Sequence, residues 1–303
     1  MKLTSFITGI ISLILVVFGV TGCQPVFQPG TLTDDLGRQV TIEAPPQRIV
    51  SHVPGITELL FALGLGERVA GVSDFCNYPE EAKLKEKVGG YFDPSVEKIV
   101  ALEPDLVLTD GYVDYLMVQL EQLGIPCIVL QPQDIDGILK NIELVGRATG
   151  VEKKAAEVVA DLEVRMNNVT QKVKDASRPR VFYTFATTDL SNPWTAGPGS
   201  FADSLITMAG GQNIGAKANA SWVQFSIEEL VNSDPEVIIV DASHGTAVTP
   251  LEELKAQPAW RETTAIKENR IYRIDGDLVN RSGPRIIQGL EEMARMIHPE
   301  LFK

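Results

Sequence analysis

Five aromatic side chains, Phe75, Tyr91, Tyr112, Trp194 and Trp222, and one polar pair, Asp277 with Arg281, fall in loops that follow apolar runs. Flat rings bind by stacking and by burying apolar area, and a carboxylate beside a guanidinium adds directional hydrogen bonds. Aromatic residues make up only 7% of the chain, so their recurrence in these loops is informative. Tyr91, Trp194 and Trp222 facing one another would wall a cleft for a broad, rigid, partly apolar ligand. If each ring lost about 100 Å² of exposed area, the three would contribute several kcal/mol at ~25 cal/mol/Å², enough to dominate binding without covalent chemistry. His52, at the end of an expected strand, and Tyr112 are further candidates for the same wall. Signs of catalysis are missing. The sequence has no nucleophile elbow, phosphate-binding loop, CxxC pair or paired-carboxylate signature, so no catalytic residue is assigned and no enzyme is expected. Histidines at 52, 244 and 298 have no metal-ligand spacing, so no metal site is assigned either. Asp189, Asp203 and Asp241 read as turn and cap residues.

Loops of this kind gather where open α/β sheets present ligands, at the carboxyl ends of strands. The sequence contains the strand-bearing unit twice. Ser95 to Asp110, SVEKIVALEPDLVLTD, meets Ser226 to Asp241, SIEELVNSDPEVIIVD, 131 positions later. Each copy reads as a helix capped by serine, with Glu97 or Glu228 in its first turn, stopped before Pro104 or Pro235 and followed by a buried parallel strand. At 303 residues the chain is long enough for two cores. Between the copies, Glu152 to about Lys174 lacks Pro, Gly and any strand pattern, and Val158, Leu162, Met166, Val169 and Val173 mark one face. Such a helix, some 35 Å long, predicts a rigid connection that lets two lobes rock by small angles. The fold expected is therefore α/β: two Rossmann-like lobes, residues 35–150 and 177–303, joined by one long rigid helix at 151–176, with a ligand cleft between them. Within it we expect a hairpin over Asp35 to Ile42, a helix over Ile135 to Thr149, a loop from Asp275 to Gly283, and loops around Trp194 and Trp222.

The N-terminus reads as a processing signal. Lys2 precedes an apolar stretch, Phe6 to Val20, too short to span a membrane, and Val20-Thr21-Gly22-Cys23 resembles a lipoprotein cleavage site. Residues 1–22 are then a signal peptide and Cys23 the lipidated residue, with 23–34 as a flexible tether to the membrane. An extracytoplasmic, membrane-anchored protein follows. A net charge of −13 disfavours nucleic acid as a partner, and a monomer is expected. Cys76 and Cys127 can pair in an oxidising compartment, although Cys127 opens a buried strand and Cys76 sits in a loop, which favours free thiols.

Almost the whole mature sequence resembles the substrate-binding proteins of ABC importers for siderophores, haem and vitamin B12, the class with two lobes on one long helix. The resemblance is carried by the D-x-x-G-R-x-V run that ends at Val40, P-x-R-I-V-S at Pro46 to Ser51, T-E-L at Thr57 to Leu59, V-E-K-I-V-A-L-x-P-D-L-V from Val96, and G-I-P at Gly124 to Pro126. Within the class the chain is most similar to the vitamin B12 binders. That similarity implies a corrinoid such as cobalamin as transported ligand, with no cofactor. It places Tyr91 and Trp222, each six residues before a repeat glutamate, and Trp194 in P-W-T-A-G as pocket aromatics. Phe75 takes the aromatic position of S-D-F-C-N-Y-P, and Asp277 and Arg281 match polar contacts to the ligand. Glu97 and Glu228 look like the knobs that dock into the two subunits of an ABC permease. Two features depart from the pattern: Asp110 stands where an aromatic is often found, and Leu278 to Asn280 replace bulky rings. Haem or a ferric siderophore is the alternative ligand within the class. Haem would need an axial ligand, for which His52 or Tyr91 is available, and a siderophore would need clustered basic residues. An α/β enzyme is the alternative outside it.

Overall fold

A computed structural model of the chain describes residues 27–185, 189–242 and 250–302. The expected signal peptide, Cys23 and His244 lie outside the described residues. The N-terminal half runs β1 (Gly30–Thr33), β2 (Gln39–Ile42), β3 (Ile49–Ser51), α1 (Pro54–Ala62), β4 (Val69–Val72), β5 (Glu86–Lys87), α2 (Val96–Ala101), β6 (Leu106–Thr109), α3 (Asp114–Gln122), β7 (Cys127–Val129) and α4 (Ile135–Thr149). Apart from the β1–β2 hairpin, its strands form one parallel sheet in the order β5-β4-β3-β6-β7. α5 (Glu152–Val173) then leads to β8 (Arg180–Phe185), β9 (Trp194–Ala196), α6 (Phe201–Met208), β10 (Gln212–Asn213), β11 (Trp222–Gln224), α7 (Ile227–Ser233), β12 (Val237–Asp241), α8 (Leu251–Ala256), α9 (Thr264–Lys267), β13 (Ile271–Ile274), α10 (Asp277–Asn280) and α11 (Ile286–Ile297). The second sheet has the order β11-β9-β8-β12-β13, with β10 beside β8. β8, β10, β12 and β13 are parallel, whereas β9 and β11 run antiparallel at one edge.

The duplicated unit is the same object in both halves. α2 and α7 are capped by Ser95 and Ser226, whose hydroxyls accept from the backbone of Lys98 and Glu229. Both helices give way to a left-handed residue, Glu103 (φ 48°) or Asp234 (φ 42°), and then to the proline. The next residue pins a neighbouring strand. The Asp105 carboxylate accepts from the backbone N–H groups of Gln47 and Arg48 at 2.6 and 2.9 Å, and the Glu236 carboxylate from that of Arg180 at 2.9 Å. β6 and β12 follow, buried along their whole length, each an interior strand next to the edge strand β7 or β13. An acidic residue after the proline thus ties the start of each of these strands to its inner neighbour, β3 or β8.

α5 is a single helix of 22 residues, about 33 Å at 1.5 Å per residue. It packs on α4 and α11 through Ala155, Val159, Leu162, Val169 and Val173. Arg165 forks onto Glu291 of α11 at 2.9 and 3.0 Å. No glycine or proline interrupts it, so the two lobes are held by a strut. Among the described residues no helix is long and apolar enough to cross a membrane.

Four local readings are corrected. The hairpin begins at Gly30, not Asp35, so the expected tether is partly folded: β1 pairs with β2, and Phe27 packs against the core beside Gly150. The segments around Trp194 and Trp222 are short strands rather than loops, each satisfied by the other across a three-residue antiparallel ladder. The loop from Asp275 to Gly283 contains α10. Asp241 is neither turn nor cap residue, because its carboxylate is buried and accepts hydrogen bonds from Tyr183 and Asn280, each at 2.6 Å. Cys76 and Cys127 are buried free thiols.

Candidate functional site

The carboxyl ends of the two sheets face a cleft of about 700 Å³. The first lobe supplies Phe75, Tyr91, Phe92 and Tyr112 as rings, with Asp110, Gln131 and Gln133 as polar groups. From the second come Trp222 and Phe201 as rings, and Ser200, Ser221, Asn280 and Arg281 as polar groups. Pro54, Gly55 and Ser282 contribute backbone where the lobes meet.

Tyr91 is fixed from three sides. Its ring lies parallel to His52 (centroids 5.8 Å apart, 16° between planes) and edge-on to Phe92 at 4.7 Å. Its hydroxyl donates a short hydrogen bond to the Asp110 carboxylate, whose other oxygen accepts from the backbone of Tyr112 at 3.3 Å. Burial and the adjacent carboxylate push the Tyr91 hydroxyl far up from the ordinary tyrosine range, so it stays protonated and donating. Asp110, which stands in place of an aromatic, therefore organises two tyrosines of the wall.

His52 lies behind Tyr91 rather than in the cleft. It is wholly buried, with Nε2 facing the Gly90 carbonyl at 3.3 Å and Nδ1 facing the Thr109 hydroxyl at 3.1 Å. A carbonyl only accepts, so Nε2 carries the proton and Nδ1 accepts from Thr109. Burial lowers its pKa, which keeps the ring neutral. The folded state then resists protonation while the unfolded chain takes up a proton near pH 6.5. Stability from this residue is present above about pH 6.5 and declines below it, by at most about 1.4 kcal/mol per pH unit. We expect thermal melts followed from pH 7.5 to 5.5 to show a fall that His52→Asn flattens. The lowered carboxylates Asp234, Glu291 and Glu300 lose their contribution only at lower pH.

Trp222 is half-buried on β11, 4.6 Å from Phe185 and 6.1 Å from Tyr183. Tyr183 is buried and donates to Asp241, which also accepts from the Asn280 amide. Asp110 and Asp241 end the two copies of the repeat, and each holds a tyrosine hydroxyl. The duplication thus reaches the support of the cleft walls, although Asp110 departs from the family pattern and Asp241 reads in the sequence as a cap. Phe185, Asn280, Gln131 and Gln133 carried no local signal, since their neighbours come from distant segments.

The structure brings Phe75, Tyr91, Tyr112, Trp222 and Arg281 together around the cleft. Trp194 is 41% exposed and stands outside that lining. It faces the same side of the β9–β11 ribbon as Trp222, one pleat further out, since Trp222 pairs with Ala196 and Gln224 with Trp194. Asp277 also lies off the lining and engages Arg281 at 2.5 Å. Arg281 is itself committed, donating to Glu58 at 3.0 Å and to Asn77 at 2.8 Å. Its charge is neutralised before any ligand arrives. Glu97 and Glu228 are exposed in the first turns of α2 and α7, one on each lobe. Among the described residues no group of three His, Cys, Asp or Glu side chains is placed to hold a metal ion.

A family profile described as "Periplasmic binding protein" matches residues 49–278. YvrC, an ABC transporter substrate-binding lipoprotein of Bacillus subtilis (strain 168), is 34% identical over 282 residues, 91% of this chain and 87% of that one. A cobalamin-binding protein of Halobacterium salinarum is 31% identical over 280 residues, 89% of this chain and 74% of the relative. Among solved structures, the periplasmic heme-binding protein RhuT from Roseiflexus sp. RS-1, in apo form, superposes with a TM-score of 0.75 at 27% identity, covering 84% of this chain and 99% of that one.

Proposed function

The chain belongs to the periplasmic binding protein family, and from that premise we propose that it captures a corrinoid between its lobes and hands it to an ABC permease. It is the extracytoplasmic substrate-binding component of an ABC importer and not an enzyme. The observation that supports a corrinoid is the chemistry of the cleft: rings on both walls, amides at Gln131, Gln133 and Asn280, and, among the described residues, a single cationic lining residue, Arg281, already neutralised by Glu58 and Asp277. A corrin is broad, flat and fringed with neutral amides, and such a lining offers rings to its faces and amides to its fringe.

Haem is a poor fit to the lining that the described residues form. Its propionates call for unpaired cations, and its iron for an axial ligand, whereas both His52 nitrogens are engaged and the Tyr91 hydroxyl is held by Asp110. An anionic ferric siderophore meets the same shortage of positive charge. In this reading residues 1–22 are removed, Cys23 carries the lipid, 151–176 joins the lobes at 35–150 and 177–303, and Glu97 and Glu228 meet the permease. Similarity to a Bacillus lipoprotein supports the anchor.

Titrating the mature chain with cyanocobalamin, cobinamide and haemin tests the ligand. Quenching of Trp222 fluorescence by either corrinoid is expected, and Trp222→Phe should remove most of it. A Soret shift with haemin and no response to corrinoids would transfer the site to haem.

A further inference from the structure

A second charged cluster lies where the lobes touch. Glu58, on α1 of the first lobe, has a side chain only 2% exposed, and two arginines of the second lobe converge on it. Its Oε1 accepts from Arg281 at 3.0 Å and from Arg285 at 2.6 Å, and its Oε2 accepts from Arg285 at 2.9 Å. The first lobe adds two further holds. Asn77 accepts from Arg281 at 2.8 Å, and the Arg285 guanidinium lies 3.9 Å from the centre of the Tyr78 ring. Beside the cluster the lobes meet backbone to backbone. A Cβ on Gly55 would come within 2.9 Å of the Ser282 carbonyl, and one on Gly283 within 2.8 Å of the Gly55 oxygen.

Two residues tie this cluster to the ligand space. Arg281 lines the cleft, and so does Phe75, which shares its loop with Asn77 and Tyr78. Separating the lobes would pull Arg281 away from Glu58 and Asn77, and the loop that presents Phe75 away from Arg285. Buried charge makes this an all-or-none matter. Removing one partner strands the others without water, which costs far more than an exposed pair would.

We propose that Glu58 is a positioning residue, the hub of an interlobe clasp that couples lobe separation to the placement of Phe75 and Arg281 at the cleft. The proposal rests on the cleft being the ligand site, but its first test needs no ligand. Spin labels at the exposed positions Lys98→Cys and Arg261→Cys, one on each lobe, report the separation by double electron–electron resonance in a protein carrying Cys23→Ser, since Cys76 and Cys127 are buried. A narrow distance distribution is expected with Glu58 intact. Glu58→Gln and Arg285→Gln should each broaden it and shift it outward, and the double substitution should go no further than either alone, because the residues act as one unit. Cyanocobalamin should leave the Glu58→Gln protein about ten times faster, with its association rate little changed. A distribution unmoved in both single variants overturns the clasp, and so does faster release at unchanged lobe separation, which would confine Glu58 to the cleft floor. Broadening in a protein that binds no corrinoid upholds the clasp and overturns the ligand assignment alone.

Discussion

Tyr91→Ala combined with Trp222→Ala is expected to weaken corrinoid binding by about three and a half orders of magnitude. If stacking covers about 100 Å² of each ring, burial at ~25 cal/mol/Å² contributes about 2.5 kcal/mol per ring, and 1.4 kcal/mol is a factor of ten. The rings stand on different lobes, so their losses should add unless the lobes shift. Calorimetric titration of the two single variants and the double variant measures each share. Tyr91→Phe separates stacking from hydrogen bonding: the ring stays, but the Asp110 carboxylate, 6% exposed, loses its donor. We expect that variant to bind more weakly than the parent by less than tenfold and to melt earlier, since an orphaned buried acceptor costs about 1 to 3 kcal/mol. A double variant within threefold of the parent would remove stacking as the basis of recognition.

What the sequence disclosed about this site, and what it hid, divides by the range of the interaction. Helix α4 was readable to the residue because both its ends are local: the Asp134 side chain accepts from the Gly137 N–H at 2.7 Å, and Gly150 closes the helix at φ 74°. The duplicated unit was readable for the same reason. β9 and β11 were not. Three residues are too few to show alternation, and what makes them strands is each other, more than 25 positions apart. Glu58 gave even less warning. As part of a T-E-L run on an apolar helix it resembles a surface carboxylate, and its partner Arg281 lies 223 positions away. Arg281 illustrates the converse. Sequence similarity pointed to the cleft, where it does stand, but could not say that its charge is already spent on its own protein.

The two repeat glutamates allow the largest separation between binding and transport. Glu97→Ala with Glu228→Ala is expected to leave corrinoid affinity within twofold of the parent and to reduce uptake by at least about a hundredfold, because in the proposed docking each charge would fix one lobe on one permease subunit and register would be lost without them. Their setting argues that neither is present for folding. α7 is capped by a reciprocal box between Ser226 and Glu229, with bonds of 3.0 and 3.1 Å, in which Glu228 takes no part. α2 is capped by Ser95 alone, and Glu97 projects from its first turn into solvent. A helix-dipole role would show instead as a small drop in melting temperature with uptake intact, since first-turn carboxylates stabilise a helix only slightly. Glu229→Ala is the internal control. It removes the box and should lower the melting temperature while transport continues, whereas Glu228→Ala should leave the melting temperature nearly unchanged and reduce uptake. Charge matters more than bulk at a docking point, so Glu97→Gln with Glu228→Gln should fail nearly as completely as the alanine pair. Uptake in vesicles carrying the permease, measured beside calorimetric affinity for the same variants, reads both quantities. Loss of affinity in the alanine pair would place these glutamates in the ligand site and leave the permease contact to other surfaces.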